Sequence, residues 1–193
     1  MSDFSKDMIL ASASPRRKEI LCEIGAEFEI IPADIDESGV KAHCSRVLAK
    51  RLAKSKARHV ANSHAGKTVI GADTIVVYRG VVYGKPQDRQ NAFDMLSKLN
   101  GKWHVVYTGV CVVCGKKEMC FAVRSRVKFN TLSKEQIYAY IDDCKPYDKA
   151  GAYGIQDKRI VEKYQGSYTN IVGLPKEKLA KVLKRVGVTN GND

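Results

Sequence analysis

The sequence predicts a mixed α/β fold, a twisted sheet flanked by helices, and three observations carry that prediction. Val69 to Tyr78 is a β-branched apolar run interrupted by Asp73, the pattern of a strand buried on both faces. Trp103 to Cys114 and Lys117 to Phe129 are long strand patterns joined by Gly115-Lys116, which makes them a hairpin. Apolar residues recur at helical spacing in the stretches between and around these strands.

Composition bounds the rest. The 193 residues suit a single unit over 1–193, two lobes sharing one core. No stretch has the apolar length of a membrane span and Met1 to Lys6 is no signal peptide, so the expectation is a cytoplasmic protein that does not engage membranes. A net charge of +12 points to anionic partners, whether nucleic acid, acidic membrane or phosphorylated small molecules. Cys111 and Cys114 match C-x-x-C inside a strand, where a period of two sends them to opposite faces. That suits neither zinc nor a redox pair, and buried reduced thiols are expected for all six cysteines, Cys22, Cys44, Cys111, Cys114, Cys120 and Cys144.

Met8 to Ala11 reads as a short strand, followed by a helix with Ser14 as N-cap, Pro15 as first residue and Gly25 as stop. Ile20, Leu21 and Ile24 form its buried face, which Arg17 shares. Ser12, Ser14, Arg16, Arg17 and free backbone N–H groups thus meet at one helix N-terminus, as in a phosphate site. The alternative is a solvated basic first turn, which the helix dipole disfavours. Phe28 to Pro32 is a second strand, leaving into Asp34, Asp36 and Glu37. Such oxygens suit a hard divalent cation, although an acidic loop without an ion is commoner. His43 to His64 is a long helix whose apolar face of Ala49, Leu52, Ala53 and Val60 contains one lysine, Lys56. An inward lysine needs an anionic partner or must snorkel past the core.

In the central strand, Asp73 needs a hydrogen bond, a counter-charge or a cation. Arg79-Gly80 fits a two-residue turn into Val81 to Tyr83, and Gly84-Lys85-Pro86 then places Lys85 on a stiff loop nearby. A structural salt bridge and a working acid–base pair are both open here. Ala92, Met95, Leu96 and Leu99 give the next helix, capped by Asn100-Gly101. After the hairpin, Ser133 and Gln136 form a capping box for a helix to about Asp142. Tyr147 to Gln156 is rich in small residues, with Lys149 and Gln156 as its polar reach. Ile160 to Tyr164 is a last strand, Gly166 to Asn170 a turn, Pro175 to Val186 a closing helix and Thr189 to Asp193 a frayed tail. There is no Walker loop, G-x-G-x-x-G or H-E-x-x-H, so phosphate-binding groups gather without an ordinary NTPase signature.

LASASPRR at Leu10–Arg17, GADT at Gly71–Thr74, GKPQD at Gly84–Asp88, DKAGAYGIQ at Asp148–Gln156 and GSYTNIVGLP at Gly166–Pro175 resemble, in order and spacing, the motifs of the Maf family. The resemblance covers nearly the whole chain. It implies an elongated two-lobed α/β fold related to the inosine triphosphate pyrophosphatases, with the active-site cleft between the lobes. It also implies cleavage of nucleoside triphosphates between the α- and β-phosphates, house-cleaning of nucleotide pools, a divalent cation (Mg²⁺ or Mn²⁺) and often a homodimer. By its motif Asp73 takes the catalytic acidic position. Ser12, Arg16, Arg17, Glu37, Lys56 and Lys85 fall on binding or catalytic positions, with Glu37 and Asp73 expected to hold the cation. Thr74 and Gln156, expected to hydrogen-bond the base, resemble the subgroup that prefers dTTP and UTP, including some modified pyrimidine nucleotides, over the subgroup that prefers a methylated guanosine triphosphate. The rival expectations are a nucleic-acid-binding module and a nucleotide-binding regulator without turnover. The first would need a basic stripe with interleaved aromatics, which Ala122 to Phe129 offers only faintly.

Overall fold

The computed structural model describes residues 7–188. The expectations for Met1 to Lys6 and for the tail at Thr189 to Asp193 lie outside the described residues. The strands are β1 (Met8–Leu10), β2 (Glu29–Ile30), β3 (Thr68–Tyr78), β4 (Val81–Tyr83), β5 (Trp103–Cys114), β6 (Lys117–Phe129) and β7 (Val161–Gln165). The helices are α1 (Pro15–Glu23), α2 (Ser45–Ser63), α3 (Arg89–Leu99), α4 (Lys134–Cys144), α5 (Tyr168–Val172) and α6 (Lys176–Val186). One sheet runs in the order β2-β1-β3-β5-β6-β7, with β4 paired to β3. It is mixed: β1 is parallel to β2 and β3, while β3, β5, β6 and β7 run antiparallel in turn.

The period of two in β3 sorts its side chains between two different layers. Ile70 and Ala72 join Ile20 and Leu21 of α1 and Leu179, Val182 and Leu183 of α6 in one core. Further along the same face, Val76 joins Leu96 and Leu99 of α3 and Ile137 and Ile141 of α4 in a second core. These two cores are the two lobes, built side by side on one sheet face. The opposite face is covered by α2, which sits very close. A Cβ on Gly71 would lie 2.4 Å from the Ala53 carbonyl oxygen, and one on Gly109 would lie 2.1 Å from that of Ala49. The small face of α2 (Ala49, Ala53, Ala57) and these two glycines are therefore one packing solution.

The edge of β3 opposite β5 is the feature that creates a site. It pairs with β1 over Thr68 to Ile70 and with β4 over Val76 to Tyr78. Between them, Gly71 to Ile75 has no strand partner on that edge among the described residues. The gap falls between the two lobes.

Three expectations are corrected. Cys111 and Cys120 are register partners across β5 and β6, 4.1 Å apart at Cα, and are joined as a disulfide rather than left as reduced thiols. The C-x-x-C spacing hid this, because the partner of Cys111 lies on the neighbouring strand. Cys22 and Cys44 are exposed rather than buried. Gly166 to Asn170 is not simply a turn: the Ser167 side chain accepts from the Asn170 N–H and starts α5.

Gly109→Ala should displace α2 and lower stability by about 1–3 kcal/mol, read as a shift in the urea midpoint. An unchanged midpoint would mean that α2 is not held by this close approach.

Candidate active site

A cleft of about 630 Å³ opens at the unpaired edge of β3. Its walls include Ser12, Ser14, Arg16, Arg17, Glu37, Lys56, Asp73, Thr74, Lys85, Lys149 and Gln156, so every site residue expected from sequence lies on it. They arrive from the loop after β1, α1, the loop after β2, α2, β3, the loop after β4 and the turns that follow α4.

Asp73 and Thr74 are neighbours on a regular strand and point to opposite faces. Both reach the cleft because it lies at the strand's bare edge, where the two faces meet. On one side, Lys56 of α2 places its Nζ 2.5 Å from Asp73 Oδ1 and 2.8 Å from Glu37 Oε1. The inward lysine of α2 thus has two anionic partners. Asp73 is buried, whereas the Glu37 side chain is 48% exposed. Burial pushes the Asp73 pKa up, against the opposing fields of Lys56 and Arg17. Of the other two acidic residues of the loop, Asp34 is exposed and Asp36 accepts from the Ser38 N–H.

On the other side, a relay runs inward from α1. Arg17 donates from Nη1 to Ser12 Oγ at 2.9 Å, from Nη2 to Thr74 Oγ1 at 3.2 Å, and from Nε to the Gly173 carbonyl at 2.9 Å. Thr74 and Thr108 hydroxyls lie 3.0 Å apart, and Thr108 donates to the Asn170 carbonyl. The Thr108 proton is committed there, so Thr74 is the donor to Thr108, which leaves its oxygen to accept from Arg17. Burial lowers the Arg17 pKa, and nearby Asp73 opposes that effect. Ser14 occupies the N-cap of α1 but makes no side-chain cap bond, so the first-turn N–H groups keep their capacity for an anion.

At the mouth, Arg16 Nη1 and Lys149 Nζ both contact Asp148, at 2.7 and 2.5 Å. Lys85 is exposed on the cleft rim. Gln156 is exposed at the far end, beside Gly154 and Ile155. Sequence reasoning missed Asp148, although it opens the DKAGAYGIQ motif next to Lys149. It also missed Gly173, whose carbonyl holds Arg17; a backbone acceptor leaves no residue-type signal.

Two carboxylates converging on one ammonium at the cleft wall form a donor set of hard oxygens. Lys56 occupies Oδ1 of Asp73 and leaves Oδ2, so the pair fits a Mg²⁺-type ion that takes few protein ligands and completes its shell with phosphate and water. A second cluster, Cys111, Glu118 and Cys120, is no such site, because the two sulfurs are bonded to each other and Glu118 is held by Lys54 and Arg58.

The mixed-sheet fold is shared with the Staphylococcus aureus Ham1 protein. That structure matches with a TM-score of 0.54 at 14% identity, covering 93% of this chain and 98% of that one. The chain belongs to the Maf family: residues 7–186 match the family described as "Maf-like protein". It is similar to proteins named dTTP/UTP pyrophosphatase from Caldicellulosiruptor bescii (45% identical, 94% of this chain and 96% of that one) and Alkaliphilus oremlandii (48%, 93% and 95%). A third, with the same name, comes from Aquifex aeolicus (42%, 95% and 97%).

The raised pKa of Asp73 means that ionisation is harder in the folded chain than in the unfolded one, so the ionised group costs stability at neutral pH. Asp73→Asn should therefore leave the unfolding midpoint unchanged or raise it, with Lys56 still paired to Glu37. A loss above about 2 kcal/mol in denaturant titration would mean instead that the Lys56–Asp73 pair holds the fold.

Proposed function

We propose that this protein is a nucleoside triphosphate pyrophosphatase that hydrolyses dTTP and UTP to the monophosphate and pyrophosphate, house-cleaning the nucleotide pool of the cytoplasm. The observation that supports it most is the convergence of a buried carboxylate, its lysine and a ring of cations on one cleft of a Maf chain. The near full-length similarity to proteins named dTTP/UTP pyrophosphatase supports the choice of base. The working unit is residues 1–193, both lobes together, since residues packed on both cores line the cleft along with Glu37 and Lys56.

In this reading the triphosphate lies along the bare edge of β3. Arg16, Arg17, Lys85, Lys149 and the start of α1 with Ser12 and Ser14 bind its phosphate oxygens. Lys56 orients Asp73 through Oδ1. The carboxylate of Asp73 or of Glu37, both anchored on the Lys56 ammonium, takes the proton of the attacking water. Water attacks the α-phosphorus, the α–β bridging oxygen leaves with pyrophosphate, and Lys85 offsets its charge. Glu37 and Asp73 would hold Mg²⁺ or Mn²⁺, which supplies Lewis-acid polarisation of the phosphate when bound. Gln156 offers both a donor and an acceptor to a pyrimidine edge. Thr74, engaged by Arg17 and Thr108, contributes its remaining lone pair to the wall and keeps Arg17 in place.

Pyrophosphate release across a panel of nucleoside triphosphates tests this reading. dTTP and UTP should turn over faster than GTP and ATP, and Gln156→Ala should narrow that gap by about tenfold while sparing basal turnover. Faster hydrolysis of GTP than of dTTP and UTP would overturn the base assignment. No pyrophosphate from any substrate, with Mg²⁺ or Mn²⁺ present, would overturn the activity.

A further inference from the structure

The cations at the cleft mouth already hold an anion. Asp148 Oδ2 accepts from Arg16 Nη1 at 2.7 Å and its carbonyl accepts from Nη2 at 3.4 Å, while Oδ1 accepts from Lys149 Nζ at 2.5 Å. Both carboxylate oxygens therefore occupy donors that a phosphate bridging the same two side chains would use. Arg16 and Asp148 are 132 residues apart in sequence and meet across the cleft. The carboxylate is the outer member of the trio: its side chain is 53% exposed, against 25% for Arg16 and 24% for Lys149. Partial burial pushes its pKa up, but the hydrogen bonds from Arg16 and Lys149 outweigh that and hold it at about 2, so it stays charged across the working range. The turn that carries it has other anchors. Gly151 N–H donates to the Gly84 carbonyl and Pro146 is buried, so the ion pair is not needed to place the segment.

We propose that Asp148 is a resident competing anion: it occupies Arg16 and Lys149 in the empty cleft, yields them to the polyphosphate and takes them back as pyrophosphate leaves. This rests on the phosphate-binding role proposed above for those two cations. Its effect has a definite sign. A carboxylate that competes with phosphate lowers the affinity for substrate and product alike and speeds product release. A carboxylate that only holds the cations in position would raise both affinities.

Titration calorimetry with inorganic pyrophosphate and Mg²⁺ at fixed ionic strength separates these possibilities. Asp148→Asn should bind pyrophosphate about three- to tenfold more tightly than the unmodified chain, with correspondingly stronger product inhibition. Asp148→Glu, which keeps the charge, should behave as the unmodified chain does. Asp148→Ser removes the carboxylate by a second route and should match Asp148→Asn if that variant folds poorly. Unchanged or weaker pyrophosphate binding in folded Asp148→Asn or Asp148→Ser overturns the proposal while leaving the pyrophosphatase reading intact. Absence of pyrophosphate binding in the unmodified chain and in both folded neutral variants likewise overturns the proposal, while turnover of dTTP decides the pyrophosphatase reading separately.

Discussion

The site depends on one break in hydrogen bonding. A strand in mid-sheet is ordinarily paired on both edges, yet among the described residues one edge of β3 is bare from Gly71 to Ile75, because β1 stops too early to cover it and β4 starts too late. A bare edge lets residues from both faces of a strand reach the same space. That is how Asp73, facing α2, and Thr74, facing the two lobes, line one cleft. It also makes the neighbouring packing exacting. The close seating of α2 on Gly71 and Gly109 sets the height from which Lys56 reaches Asp73.

Charge in the cleft is arranged by depth. The innermost pair is Lys56 with Asp73, where solvent is scarce. Glu37 meets the same ammonium from a solvated loop. Arg17 is held by oxygens that carry no formal charge, those of Ser12, Thr74 and Gly173, so its own charge remains available to an incoming anion. Arg16 and Lys149, further out, are satisfied by Asp148. By formal charge Lys56 and Arg17 balance Asp73 and Glu37 in the interior, while Arg16, Lys149 and Lys85 outnumber Asp148 at the mouth, which suits a polyanion that must enter, react and leave again as a smaller polyanion.

Much of this was legible in the sequence, for identifiable reasons. Strand period and turn chemistry gave β3, the Arg79-Gly80 turn and the β5–β6 hairpin, because each signal is local. Lys56 and Asp73 stood out as charges on apolar patterns, and the structure pairs them with each other. What was not legible depends on register. The Cys111–Cys120 bond needs the alignment of β5 with β6, which no spacing within one strand reveals. The route by which Thr74 reaches the cleft needs the bare edge of β3, a property of where other strands stop. Asp148 was overlooked because one more carboxylate beside a lysine on a turn carries no signal until Arg16 is seen to arrive from the other side.

The central claim is that the cleft directs water to the α-phosphorus. Hydrolysis of dTTP in ¹⁸O-labelled water, followed by mass spectrometry of the products, tests it directly. The label is expected in the nucleoside monophosphate and not in pyrophosphate. Label in pyrophosphate, or release of labelled orthophosphate with a nucleoside diphosphate, would contradict it.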